Sequence, residues 1–260
     1  MKGLNLLFLG TSAFDYSDKL ETEFKDKFDY NVRRAACGLI NERYLIDCGF
    51  HCEDSLRIAG IDKSKITDIF ITHFHGDHCC VEMIRRISAD RTTPINVWVR
   101  HDAEVVDIPN VNWVRMNKMQ EYALPDGTLV KGFYANHDES VWPQHLLFEK
   151  DGKRLLYACD GAWFLRETYY ALKDLRLSLL VLDCTCGDYE GEWRMAEHNS
   201  IPMVRLMLPC LKNWGVIDEN SKIFISHIAP SLHKPHFETV EIMKEMGANV
   251  AFDGLKIELA

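Results

Sequence analysis

The chain has 260 residues, 47% of them hydrophobic and 27% charged, with a formal net charge of −9. That length suits one large domain or two small ones and is ample for a sizeable core. The acidic balance disfavours nonspecific attraction to nucleic acid or to an anionic membrane, and no apolar run is long enough to cross a bilayer.

The first apolar run, "NLLFLG", reads as a strand: it ends at Gly10 and passes into charged sequence, without the longer stretch and small-residue cleavage site of a signal peptide. Residues 15–34 are charged, lack a core pattern and read as an excursion at the surface, with Arg33 and Arg34 as solvated charge. Strand-like runs follow at short, regular spacing: "ACGLI", "RYLIDCG", "DIFITH", "INVWVR", "TLVKGFYAN", "LSLLVLDC" and "KIFISH". Two hairpins are expected, one turning at Asp151-Gly152 in "LLFEKDGKRLLYACD" and one at Asp253-Gly254 in "NVAFDGLKIEL". Helical patterns lie between, in "GDHCCVEMIRRIS", "WFLRETYYALKD", "SIPMVRLMLPCLKNWG" and "PHFETVEIMKEMG". Pro209 is expected to kink or stop the third, and Gly247 to cap the fourth. Strands with helices interspersed suggest an α/β sandwich, two mixed sheets face to face with helices outside.

Nine cysteines make an odd count, and most lie inside apolar runs. This favours reduced, buried thiols in a cytoplasmic protein over a disulfide framework.

The chemistry concentrates in "ITHFHGDHCC", residues 71–80, where His73, His75, Asp77 and His78 follow a strand-like run. Residues i and i+2 of an extended chain point the same way, so His73 and His75 can grip one cation. The chain then turns at Gly76, and Asp77 and His78 can grip a second. Imidazole with carboxylate suits Zn²⁺, and also Mn²⁺ or Fe. Further donors close other apolar runs: His137 after "KGFYAN", Asp160 after "RLLYAC" and His227 after "KIFIS". Strand ends of this kind would emerge at one rim. Asp47 and Asp183 also end strands, where they either hold ligand imidazoles from behind or cap the strand ends.

With "THFHGDH", "NH", "CDG" and "SHIAPS" in this order, the chain resembles the metallo-β-lactamase superfamily over nearly its whole length. The resemblance implies a single αββα domain over residues 1–260 with two divalent metal ions in a cleft at one edge. It places His73, His75 and His137 at one ion, Asp77, His78 and His227 at the other, and Asp160 between them. Within the superfamily, "LDCT", "EHNS" and "ANVAFDGLKIEL" resemble the cyclic phosphodiesterase of the carbon–phosphorus lyase pathway, with ribonuclease Z enzymes nearby. That enzyme's cysteine-rich zinc site has no counterpart here, because residues 11–36 contain no Cys.

These resemblances imply a metal-dependent hydrolase of a small or cyclic phosphodiester, with Asp77 and His198 as catalytic residues and His198 as proton donor to the leaving group. Relatives in the superfamily often form homodimers. Thioester or lactam hydrolysis, or a ribonuclease Z-like activity, is the alternative; no long basic, glycine-rich arm is present to hold tRNA. His233 and His236 in "SLHKPHF" read as a solvated loop, with contact to a phosphate alongside Lys234 as the alternative.

Overall fold

In the computed structural model, which describes residues 3–259, the apolar runs become the strands of two seven-stranded sheets. The first half of the chain contributes β1 (Leu4–Gly10), β2 (Cys37–Ile40), β3 (Tyr44–Ile46), β4 (Asp68–Phe70), β5 (Ile95–Arg100) and β6 (Val111–Met116). Helices α1 (Cys52–Ile58) and α2 (Val81–Ser88) form the β3–β4 and β4–β5 crossovers. The second sheet contains β7 (Glu121–Ala123), β8 (Leu129–Tyr134), β9 (Gln144–Lys150), β10 (Lys153–Ala158), β11 (Leu179–Asp183), β12 (Lys222–Ser226) and β13 (Asn249–Val250). Helices α3 (Arg166–Leu172), α4 (Ile201–Asn213) and α5 (His236–Lys244) link its last four strands. The final strand, β14 (Lys256–Leu259), pairs antiparallel with β1 in the first sheet.

Each sheet has an antiparallel half and a parallel half, and crossover helices join the parallel neighbours except β5 and β6, which a connection without a helix links. Between the sheets lies a layer that includes Phe8, Tyr44, Phe70, Phe148, Tyr157 and Val181. Burying an aliphatic or phenyl side chain of this kind is worth about 1.5–3 kcal/mol. A second layer joins the first sheet to α1 and α2, and a third joins the second sheet to α3, α4 and α5. This is the αββα sandwich read from the sequence.

Four local expectations meet the structure differently, one of them the solvated loop read for His236, which is buried and opens α5. The Asp151-Gly152 turn does join β9 to β10 as a hairpin. Asp253-Gly254 does not make one: it carries the chain from the edge of one sheet to the edge of the other, because β13 pairs with β12 while β14 pairs with β1. Helix α4 continues through Pro209. Its buried face, Ile201, Val204, Met207, Leu208 and Leu211, holds the helix in place, while Pro209 and Arg205 face solvent, where the carbonyl left without a donor can be hydrated. Arg33 and Arg34 are 3% and 2% exposed rather than solvated. The Arg34 guanidinium donates to the carbonyls of Phe24 and Lys27, so the charged excursion folds around an arginine it encloses. Gly247 adopts φ +70, and bonds from the Gly247 and Ala248 amides to the carbonyls of Lys244 and Met243 close the helix end as expected.

Candidate metal centre

The ends of β3, β4, β8, β10, β11 and β12 meet at one edge of the sandwich, and the connections leaving them carry the polar side chains of the centre. The "HFHGDH" turn is held by main-chain bonds: Cys48 N donates to the His78 carbonyl (2.7 Å), and Cys80 N to the Cys48 carbonyl (2.9 Å). The close approach requires glycine at position 49, where a Cβ would lie 1.7 Å from the Asp77 carbonyl oxygen. Asp47, Asp160 and His227, each just past a strand end, have left-handed φ values of 63°, 58° and 56°. Such backbone costs of order 1–3 kcal/mol per non-glycine residue and persists where surrounding contacts enforce it. Here it turns each side chain from the strand direction into the centre.

Two groups of donor atoms result. His73 Nε2 lies 3.1 Å from His75 Nδ1, and His137 Nε2 lies 3.2 Å from the same atom. In the second group His78 Nε2 lies 3.1 Å from His227 Nε2, with Asp77 Oδ2 at 3.4 and 4.0 Å from the two. One oxygen belongs to both: Asp160 Oδ2 is 3.0 Å from His73 Nε2, 3.3 Å from His78 Nε2 and 3.4 Å from His227 Nε2. All seven side chains singled out in the sequence are therefore brought together, His75 the most accessible and the others buried.

Behind them is a layer of carboxylates and hydroxyls. His78 Nδ1 donates to Asp47 Oδ2 (2.7 Å), and Asp47 Oδ1 accepts from Thr72 N (2.8 Å). Thr72 Oγ1 bonds Asp47 and lies 3.1 Å from His73 Nδ1. On the other side, His227 Nδ1 faces Thr185 Oγ1 (2.7 Å) and Asp183 Oδ2 (3.1 Å). Thr72 and Thr185 were not singled out in the sequence, although each sits beside a proposed functional residue, in "ITH" and "DCT". His198 Nδ1 lies 3.0 Å from Asp160 Oδ1 and 3.2 Å from Asp183 Oδ2, ahead of α4.

This donor set fits divalent cations. His78 and His227 each direct Nδ1 at a carboxylate, which fixes the proton there and leaves a lone pair on each Nε2. Those two lone pairs face each other at 3.1 Å, an arrangement that repels unless a cation lies between them. His137 Nδ1 is buried without a hydrogen-bond partner. Four overlapping groups of His, Asp and Glu side chains here have ligand atoms within 4.8 Å of one another.

The electrostatics follow from the packing. Burial, with His78 close by, pushes His73 down to about 3. Burial opposes the ionised form of Asp160, but His227 and His73 hold it well below the usual carboxylate range. Burial would lower His198 as well, yet Asp183 and Asp160 push it up to about 11. A cavity of about 380 Å³ opens over the centre, walled by Phe14, Asp15, Asp77, Arg194, His198 and His227. Phe14 is 71% exposed at its mouth. Arg194 and Phe14 carried no signal in the sequence, since their place in the wall depends on how the 11–15 and 187–198 segments pack.

Comparison with known proteins gives a consistent outline. A family model described as Anti-Pycsar protein Apyc1 matches residues 21–86. Ribonuclease Z of Methanothermobacter thermautotrophicus is 36% identical over 75 residues, 29% of this chain and 21% of that protein. The matched stretch thus spans about a fifth of the length of the curated relatives. The metallo-β-lactamase fold protein YhfI from Bacillus subtilis superposes with a TM-score of 0.75 at 12% identity, covering 100% of both chains. A diphosphatase from the PhnP family superposes with a TM-score of 0.71 at 17% identity, covering 99% of this chain and 98% of its own.

Proposed function

This chain has the metallo-β-lactamase fold, and we propose that it is a metal-dependent phosphodiesterase acting on a small or cyclic phosphodiester, such as a ribose cyclic phosphate. The observation that carries the reading is the position of Asp160 Oδ2, within 3.4 Å of donor nitrogens from both groups. In this reading His73, His75 and His137 would hold one cation and Asp77, His78 and His227 a second, with Asp160 available to both. Zn²⁺ suits the donors best, with Mn²⁺ or Fe as alternatives. Divalent cations supply a hydroxide nucleophile at neutral pH and offset charge on the phosphate oxygens.

The chain's own residues do the rest. Asp47 and Asp183 keep the Nδ1 protons of His78 and His227 in place, so that both rings present Nε2 to the centre. His198 lies at the cavity wall and is held protonated by two carboxylates. It gives its proton to the departing alkoxide oxygen as the P–O bond breaks. Arg194, in the same wall, contributes a positive charge toward the anionic substrate. A cavity of about 380 Å³ favours a small ligand over a long polymer.

The nine cysteines, all free, and the absence among the described residues of any helix able to cross a membrane are compatible with the proposed cytoplasmic location. A homodimer of single-domain chains is part of the same proposal.

Metal analysis of the purified protein is expected to give close to two transition-metal equivalents per chain; one equivalent with full activity would contradict the shared-carboxylate arrangement. A panel of bis(p-nitrophenyl) phosphate, a ribose cyclic phosphate, a thioester, a cephalosporin and a precursor tRNA assigns the reaction. Turnover confined to the thioester or the lactam overturns the phosphodiesterase reading in favour of attack at a carbonyl.

A further inference from the structure

A second cavity, of about 270 Å³, lies beside the segment that leaves His227, walled by Arg33, His233, Lys234 and His236 together with Asn31 and Thr239. Among the described residues its walls carry no carboxylate. Ile228 and Pro230 line this cavity, whereas His227 and Ala229 line the larger one. The two spaces are therefore on opposite sides of a single stretch of chain.

Arg33 is the central feature. It is 3% exposed, and no carboxylate lies within ion-pair distance of its guanidinium among the described residues. Nη1 donates to Thr11 Oγ1 (2.6 Å) and to the Ala251 carbonyl (2.6 Å), and Nη2 donates to His236 Nδ1 (3.0 Å). Asp253 is one step away, accepting from the Thr11 hydroxyl (2.8 Å), and Asp29 acts only at longer range. Buried charges in proteins are ordinarily paired, because desolvating an unpaired one costs several kcal/mol. A guanidinium buried at the wall of a cavity with no adjacent carboxylate has room for a counter-ion that the chain itself does not provide.

The neighbouring side chains suit the same ligand. Arginine only donates, so His236 accepts at Nδ1, and in the neutral ring its N–H is then at Nε2. His233 engages the Cys184 carbonyl through Nε2 (2.5 Å), which leaves Nδ1 buried and without a partner. Lys234 is exposed at the rim and adds a mobile ammonium. Tyr30 stacks on His236 (centroids 5.0 Å apart, 26° between planes), bracing the ring.

We propose that the cavity formed by Arg33, His233, Lys234 and His236 is a binding site for a tetrahedral oxyanion, the phosphate group of a small phosphorylated ligand, separate from the metal centre. The site does not depend on the hydrolase reading, since none of these residues belongs to the His/Asp clusters. Guanidinium and ammonium donors to phosphate oxygens make the strong, charge-assisted class of hydrogen bond.

The test is calorimetric titration of the metal-loaded protein with inorganic phosphate, repeated with a nucleoside 5′-monophosphate. Two sites are expected, one lost in D160A and one retained. In K234A the retained site should weaken threefold or more, and turnover of bis(p-nitrophenyl) phosphate should be unchanged. R33M should abolish the retained site; because that variant also loses three buried hydrogen bonds, K234A, altered only at the rim, is the deciding variant. Tighter binding of the nucleotide than of inorganic phosphate identifies a phosphorylated metabolite as the ligand, and equal binding identifies free phosphate. A single site, lost in D160A, or less than threefold weakening in K234A overturns the proposal.

Discussion

The substitution D47N tests how far the proposed metal centre depends on residues placed behind its ligands. Asp47 is fully buried and accepts from three donors: Thr72 N at 2.8 Å, Thr72 Oγ1 at 2.9 Å and His78 Nδ1 at 2.7 Å. Through the Thr72 hydroxyl it also steadies His73, whose Nδ1 lies 3.1 Å from that oxygen. Asparagine keeps the volume but offers one acceptor oxygen in place of two. If its oxygen faces Thr72, its NH₂ meets the His78 N–H; if it faces His78, the NH₂ meets the Thr72 N–H. Either way one buried donor is left unpaired, at a cost of about 1–3 kcal/mol. Removing such a partner from a ligand histidine typically weakens metal binding by about 10–100-fold, which at about 1.4 kcal/mol per decade is the same range. Competition against a fluorescent zinc chelator should therefore show D47N binding zinc about 10–100-fold more weakly, with the far-ultraviolet circular dichroism spectrum preserved. Zinc affinity within threefold of the parent chain would refute the idea that Asp47 orients His78.

The remaining predictions concern proton transfer, pH and the backbone. H198A should slow alkyl phosphodiesters by about 10²–10⁴-fold, the usual worth of a general acid, and nitrophenyl esters by far less; equal losses on both would remove His198 from that role. Burial pushes the Asp253 carboxyl up to about 6 from an ordinary value of 3.8. A raised acid contributes stability that is fully present below about pH 3.8 and lost as pH rises through about 6. The stability of D253N relative to the parent should accordingly rise by about 2 kcal/mol between pH 4 and pH 7, and a difference that stays flat in urea unfolding refutes the assignment. P209A restores a helical N–H on the solvent face of α4 and should stabilise the chain by about 1–2 kcal/mol, read from the urea midpoint; a loss of stability would show that the proline is needed where it is.

Much of the architecture was legible in the linear chain because it depends on local spacing. Alternation and β-branched runs marked most strands, and the Asp151-Gly152 turn marked its hairpin, since both signals act over a few residues. The "HFHGDH" turn was legible for the same reason: the i, i+2 geometry of an extended chain puts His73 and His75 on one side before Gly76 turns the backbone. The ends of "KGFYAN", "RLLYAC" and "KIFIS" were legible as donor positions because a strand that ends in a polar residue presents it at the sheet edge.

Other features depended on partners far away in sequence. Asp253-Gly254 has the local chemistry of a hairpin turn, yet β14 pairs with β1, some 250 positions earlier, and that pairing overrides the turn signal. Arg33 and Arg34 belong to a segment with the composition of a solvated surface, and only the fold around them supplies the carbonyls, the Thr11 hydroxyl and the His236 ring that take their protons. Asp47 and Asp183 could have been strand-end caps; the placement of His78 and His227, 31 and 44 positions away, turned them toward imidazoles. By itself, then, the sequence determined the fold class and the residue types available at the strand ends, because backbone periodicity is a short-range property. Which of those side chains share an oxygen of Asp160, and which cations are buried beside a cavity, was decided only when two sheets packed face to face, because burial and through-space electrostatics arise from contacts that no local stretch of chain encodes.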